Sequence, residues 1–352
     1  MTVRRNTGYL LAVGLVSAFL FGTATPASKS LLYDVQPQAL AGLLYLGAAI
    51  GVLPVLLRER TFCLPWRAGN RTIALLAGAI LLGGVLGPWL LLLGLRRATS
   101  GSVSLLLNLE LVATVFLGHV IFRDYLTTRG WLAAAGSLLA AVLLALGEGP
   151  SGLFSGLLVG AACLCWGFDN HLTALIDGIT PAQTTLWKGL VAGIFNLVIG
   201  GFVLSGLGSG VTIVLALGVG ALSYGLSIVL YITAAQGLGA SRSQMVFSTA
   251  PFFGLLLSLV ILGESLTSLQ IIAALIIIGS LVLLFSEHHR HVHRHERMIH
   301  EHWHRHDDGH HCHEHDGPAA TVHTHRHVHE PVEHEHPHWP DLHHRHDHGD
   351  DG

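Results

Sequence analysis

Apolar residues fill most of the first 286 positions in ten long stretches, parted by short polar or turn-forming breaks. The stretches are 8–28, 37–57, 72–93, 100–121, 128–147, 152–175, 182–204, 211–233, 241–262 and 268–286. Each is close to the roughly 20 residues that an α-helix needs to cross about 30 Å of hydrocarbon. Breakers such as Gly149-Pro150 and Gly178-Ile179-Thr180-Pro181 lie between them. Backbone groups in lipid must pair internally, so the pattern predicts ten transmembrane helices. The strict alternation of a membrane β-barrel is absent. The first stretch follows Arg4 and Arg5 and precedes small residues at 23–27, the outline of a cleaved signal peptide as well.

An internal repeat argues that the first stretch is retained. A shift of 140 lays LRRATSGSVSLLLNLELVATVFLGHVIFRDYLT (95–127) on AQGLGASRSQMVFSTAPFFGLLLSLVILGESLT (235–267) without a gap. A shift of 145 lays FLFGT (19–23) on LCWGF (164–168), matching the first stretch to the sixth. Each half then holds five helices, and an odd number inverts the second half relative to the first. The expected fold class is an all-α membrane protein. Its parts are a first repeat over 8–147, a second over 151–286 and a tail over 287–352 without structure.

Several segments resemble the drug/metabolite transporter superfamily, of the EamA type. These are FLFGTATPASK (Phe19 to Lys29), the fourth stretch with its small-residue opening, and Gly263-Glu264 after the ninth. The first half departs from that pattern, with Arg123-Asp124 in place of Gly-Glu and Glu110-Leu111 opposite Ala250-Pro251. The resemblance covers 8–286 and implies secondary transport of a small solute, often outward. It does not fix the cargo and does not extend to the tail.

Composition divides the chain. Only 12% of its 352 residues are charged, against about 25% in soluble domains. Residues 1–286 hold 8 acids and 13 bases, a formal +5, and residues 287–352 hold 14 acids and 6 bases, a formal −8. The tail also holds 24 of the 26 histidines. Arginine placement orients the body: Arg4, Arg5, Arg58, Arg60, Arg67, Arg71, Arg123, Arg129 and Arg242 fall on one side, and Lys29, Arg96 and Arg97 on the other. By the positive-inside rule both termini are cytoplasmic, in a multi-pass inner-membrane protein. The four cysteines (Cys63, Cys163, Cys165, Cys312) have no disulfide or zinc-ribbon spacing.

Ionisable residues inside apolar helices mark cavities or partners. Glu110, Asp169, His171 and Lys188, with Asn108, Asn170 and Asn196, are the candidates for a substrate cavity. For Glu110 two readings stand: a proton- or substrate-linked carboxylate near the midplane, or a structural pair with Lys188. In CLCWGFDNH (163–171), Cys165 and Asp169 share a helix face and His171 points away from it. A metal site there stands beside ordinary burial of small apolar thiols and a polar pathway lined by Asp169 and His171. No nucleotide loop or soluble catalytic set is present, so the chain is read as no enzyme, with no required cofactor and no nucleic-acid partner.

The tail gathers imidazoles in dense runs: His291, His293 and His295; His302, His304 and His306; His311, His313 and His315; His325, His327 and His329; His334, His336 and His338; and His343, His344, His346 and His348. Neutral imidazole suits zinc, nickel, cobalt and copper, so these residues are candidate ligands for divalent transition metal. Three readings remain: metal buffering or sensing on a metal-ion (Ni, Co or Zn) transporter, a tail that charges as pH falls through about 6.5, or an incidental tail on an exporter of amino acids or other metabolites. A membrane-anchored metal store or sensor is the reading of another class. Expected partners are a small-molecule or metal-ion substrate, lipid and, as an assembly, a homodimer.

Overall fold

A computed structural model describes residues 7–285, apart from 60–61, 123–126, 177, 204–206 and 239, together with 292–294, 298–305, 322–329 and 333–335. The chain divides into two compact units, Met1–Glu287 and His288–Gly352.

Among the described residues, ten helical spans are long and apolar enough to cross a membrane, as the sequence predicts. The first is α1 (Thr7–Gly22) with α2 (Ala24–Leu31), and the second is α3 (Pro37–Leu56). The third is α4 (Asn70–Ala79), a π-helical turn at Ile80–Leu86 and α5 (Gly87–Leu95). The fourth is α6 (Ser100–Leu106) with α7 (Leu109–Phe122), the fifth α8 (Thr128–Gly147) and the sixth α9 (Gly149–Ala174). The seventh is α10 (Pro181–Leu197), running into a π-helical turn at Val198–Val203. The eighth is α11 (Gly210–Val219), a π-helical turn at Gly220–Leu226 and α12 (Ser227–Leu238). The ninth is α13 (Ala240–Phe247) with α14 (Ala250–Leu262), and the tenth is α15 (Ser268–Phe285).

The breaks have local causes. In the ninth span Pro251 has no N–H for the carbonyl of Phe247, and the helix stops and restarts around Ser248-Thr249. The fourth span lacks that proline. There Asn108 donates from Nδ2 to its own helix at the Leu105 carbonyl (3.0 Å), and the ladder is interrupted at Leu107-Asn108. The π-helical turns at Ile80–Leu86 and Gly220–Leu226 sit 140 residues apart, at equivalent places in the two repeats.

α3 lies at the centre and packs against α10, α11 and the turn Gly220–Leu226. Small residues make this possible. A Cβ at Gly189 would fall 2.7 Å from the Tyr45 carbonyl, and one at Gly42 would fall 2.5 Å from the Leu197 amide. The close approach at Gly189 sets the neighbouring Lys188 beside the middle of the bundle.

In the second unit, where the composition predicts no structure, four short strands form among the described residues. β1 (Val292–Arg294) pairs antiparallel with β4 (Glu333–Glu335), and β2 (Met298–Arg305) with β3 (Val322–His329). The register sets His300 opposite His327 and His302 opposite His325. Ile299, Trp303, Thr324 and Val328 supply the β-prone residues between the histidines.

Candidate functional site

The polar centre grows from one proline. Pro88 has no N–H, so the Gly84 carbonyl loses its partner in an α-turn and the Gly83 carbonyl loses its partner in a π-turn. Side chains from other helices serve both oxygens. Tyr45 Oη (2.5 Å) and Trp166 Nε1 (3.0 Å) donate to the Gly83 carbonyl, and Asn196 Nδ2 (3.0 Å) donates to that of Gly84. Gln38 Nε2 donates to Asn196 Oδ1 at 2.7 Å, which fixes that amide.

Asp169 packs directly on Gly83, where an added Cβ would overlap its carboxylate. Its partner is Lys188 of α10, whose Nζ lies 2.7 Å from Oδ1 and 2.5 Å from Oδ2. The two side chains are 8% and 16% exposed. Thr173 Oγ1, one turn on, also donates to Oδ1 (3.0 Å). The pair is therefore a buried, hydrogen-bonded unit of opposite charges rather than a loose surface contact.

Lys188 does not pair with Glu110. α10 packs against α3 and the turn Ile80–Leu86, whereas Glu110 rides on α7, which packs against α9. The ammonium meets the carboxylate of α9 first. Glu110 Oε1 instead accepts from Asn170 Nδ2 (3.1 Å), which also donates to Thr114 Oγ1 (3.1 Å). His171 Nε2 lies 2.9 Å from the Thr114 carbonyl. Asp169 and His171 thus leave α9 in opposite directions, one to α10 and one to α7, as a spacing of two on a helix requires.

Four of the predicted cavity residues, Asp169, Lys188, Glu110 and His171, are therefore linked through α9. Asn196 is fully buried between Gln38 and Gly84, and Asn108 serves the break in the fourth span. Cys163 is buried, with Sγ 3.9 Å from the Leu106 carbonyl. Among the described residues no three His, Cys, Asp or Glu side chains gather as metal ligands. His119 stacks edge-on to Trp131 at 5.3 Å. Of the candidate ligands in the tail, His293, His302, His304, His325, His327, His329 and His334 fall on β1–β4. His291, His295, His306, His311, His313, His315, His336, His338, His343, His344, His346 and His348 lie outside the described residues, as do Arg123, Asp124 and Cys312.

Sequence reasoning missed Tyr45, Tyr224, Gln38 and the Gly83–Gly84 carbonyls. Tyr45 and Tyr224 face each other with ring centroids 6.0 Å apart, and Phe21 lies edge-on to Tyr224 at 5.8 Å. The available signals were Gly83-Gly84 four to five residues before Pro88, and a glutamine inside an apolar span. The repeat places Ser223 where Gly83 stands, and its hydroxyl lies 2.9 Å from that of Thr23. That equivalent position is polar but uncharged, so the charge sits on one side of the pseudo-symmetry.

Comparison with known proteins agrees with this architecture. A model of the EamA-like transporter family matches residues 6–146 and 153–286, one match per repeat. A protein of Methanothermobacter thermautotrophicus described as an uncharacterized transporter is 28% identical over 308 residues, covering 80% of this chain and 87% of that protein. A solved structure titled only as the crystal structure of a protein superposes with a TM-score of 0.55 at 19% identity. It covers 79% of this chain and 97% of its own, a likeness of fold. With ten apolar spans and both repeats matched, the chain is a multi-pass membrane transporter that belongs to the EamA-like transporter family.

Proposed function

We propose that the protein is a secondary exporter of a small polar solute across the inner membrane, with both termini cytoplasmic and with a His-rich tail that binds divalent transition metal on that side. The Asp169–Lys188 pair carries the reading of the cargo. Two opposite charges held together in a low-dielectric site offer each other as leaving partners. A solute that brings its own charged or hydrogen-bonding groups can replace one member without leaving the other unpaired. Tyr45 meets Asp169 at Gly83, and Tyr224 faces Tyr45. A bare divalent cation suits this centre less well, because the Asp169 carboxylate is already held by an ammonium and Thr173. The two repeats would rock about this centre in alternating access.

A second reading, in which nickel, cobalt or zinc is itself the cargo, is favoured by the tail, where 24 of the 66 residues from 287 are histidine. One experiment separates the two. Metal and metabolite content is compared in cells making the full chain, the chain ended at Ser286, and the Lys188→Met variant. A metabolite whose export needs Lys188 but not the tail supports the organic solute. Metal export that needs both supports the second reading. A cell content that no variant changes refutes both.

A further inference from the structure

The two repeats share a sequence pattern but differ in how their fourth and ninth spans meet. α6 packs mainly on α14, and also on α2, α9, α8 and α15. Its counterpart at a shift of 140, α13, would by symmetry pack on α7. Among the described residues, the main neighbours of α13 are instead α1 and α12. One end of the body is therefore closed by the α6–α14 seam, and among the described residues α13 and α7 form no comparable seam at the other end.

The sealed end has a specific fastening. Gly263 ends α14 in the left-handed region (φ 65°), and the chain turns back so that Glu264 reaches the other repeat. Its Oε1 accepts from the Ser100 amide (2.7 Å) and its Oε2 from the Gly101 amide (2.9 Å). Ser258 Oγ donates to Ser100 Oγ at 2.8 Å. From outside the seam, Glu148 accepts from the amide and hydroxyl of Thr99. Lys29 donates to the carbonyls of Leu95 (2.7 Å) and Ala98 (2.8 Å), within electrostatic reach of both carboxylates.

We propose that Glu264 is a gating residue of the transport cycle, whose carboxylate holds this end shut by gripping the first two amides of α6. It acts through the seam and not through contact with the cargo. The proposal rests on the transporter reading, yet its test needs no knowledge of the solute. Bonds to a carboxylate are the strong, directional kind, and both are lost together when α6 and α14 separate. At the equivalent place in the first repeat the sequence has Asp124, one methylene shorter.

The reporter is Ser104. It is buried on α6 facing Gly254 of α14, where an added Cβ would fall 2.6 Å from its hydroxyl. That hydroxyl has no partner, so Ser104→Cys removes no bond. In a full chain lacking Cys63, Cys163, Cys165 and Cys312, the new thiol is probed in sealed membranes. A membrane-impermeant maleimide is applied from the side on which Glu148 lies. Labelling should be slow, and Glu264→Gln should speed it about tenfold or more, the effect of losing one charge-assisted bond. Ser100→Pro gives an independent route. It deletes the amide donor at a first-turn position that tolerates proline, after an extended Thr99 (φ −65°, ψ 147°). It should speed labelling likewise, while Ser100→Ala, which keeps the amide, should not. Unchanged labelling in both Glu264→Gln and Ser100→Pro overturns the proposal. An equal rise in Ser100→Ala and Ser100→Pro assigns the seal to the Ser258 hydroxyl and also overturns it. Both results leave the transporter reading standing.

Discussion

Replacing Lys188 by methionine tests whether the central ion pair serves cargo, structure or both. The substitution keeps an unbranched stem of similar reach and removes the ammonium. Asp169 loses contacts of 2.7 and 2.5 Å and keeps the Thr173 hydroxyl at 3.0 Å. Removing one member of a buried pair costs about 3–5 kcal/mol. The remaining hydroxyl bond and the 16% exposure of Lys188 place this case at about 3 kcal/mol. Asp169→Asn strands the ammonium instead and should cost a similar amount. The double variant strands neither group, so its loss should be roughly 1 kcal/mol and far below the sum of the single losses. Unfolding of the detergent-solubilised protein measures the three stabilities, and solute flux in vesicles measures function. The stable double variant should still carry no solute. The reasoning is refuted if the single variants are as stable as the parent, or if the double loss equals the sum of the two.

Other outcomes follow from neighbouring contacts. Gly83→Ala should push the Asp169 carboxylate off Lys188 and abolish flux at about 1–3 kcal/mol of destabilisation, read by the same two assays. Tyr45→Phe and Trp166→Phe should each cost about 1 kcal/mol, because the other donor still serves the Gly83 carbonyl. Together they orphan that oxygen and should cost more than the two singles added, which a double-mutant cycle measures. The Asp34 carboxyl, in the turn after α2, is held below the usual carboxylate range, first by the Thr212 hydroxyl and then by the Ser209 amide. A depressed value means stabilisation that is present above about pH 4 and is lost as pH falls through the folded-state value. The stability difference between the parent and Asp34→Ala should therefore be present at neutral pH and vanish in acid.

The spans could be read because lipid leaves few options: an apolar run of the right length must be a helix, and the boundaries from hydropathy fall within a few residues of those observed. The two-repeat plan was legible for the same reason, since residues 95–127 and 235–267 carry one pattern of polar opening, long helix and acidic turn. Asp169 and His171 could be placed on opposite faces from their spacing alone. The partner of Lys188 could not, because Glu110 and Asp169 are equally plausible until helix packing decides which carboxylate lies nearer. Tyr45 was invisible for a related reason. Its role depends on a carbonyl orphaned by Pro88 on another helix, and nothing local to Tyr45 reports that. The β-pairing of the histidine-rich end was hidden by composition, which registers imidazole and charge but not the alternating Ile, Trp, Thr and Val between them.

The Gly83 carbonyl has a mechanical meaning. A single oxygen receives bonds from the second and sixth spans while belonging to the third, so those three helices share one rivet. Sliding any of them past the others by a helical turn would shear both bonds at once. Displacement during a transport cycle is thus steered away from this trio and toward joints fastened by side chains that can let go, which leaves Asp169, on the sixth span, riding on the still part of the machine.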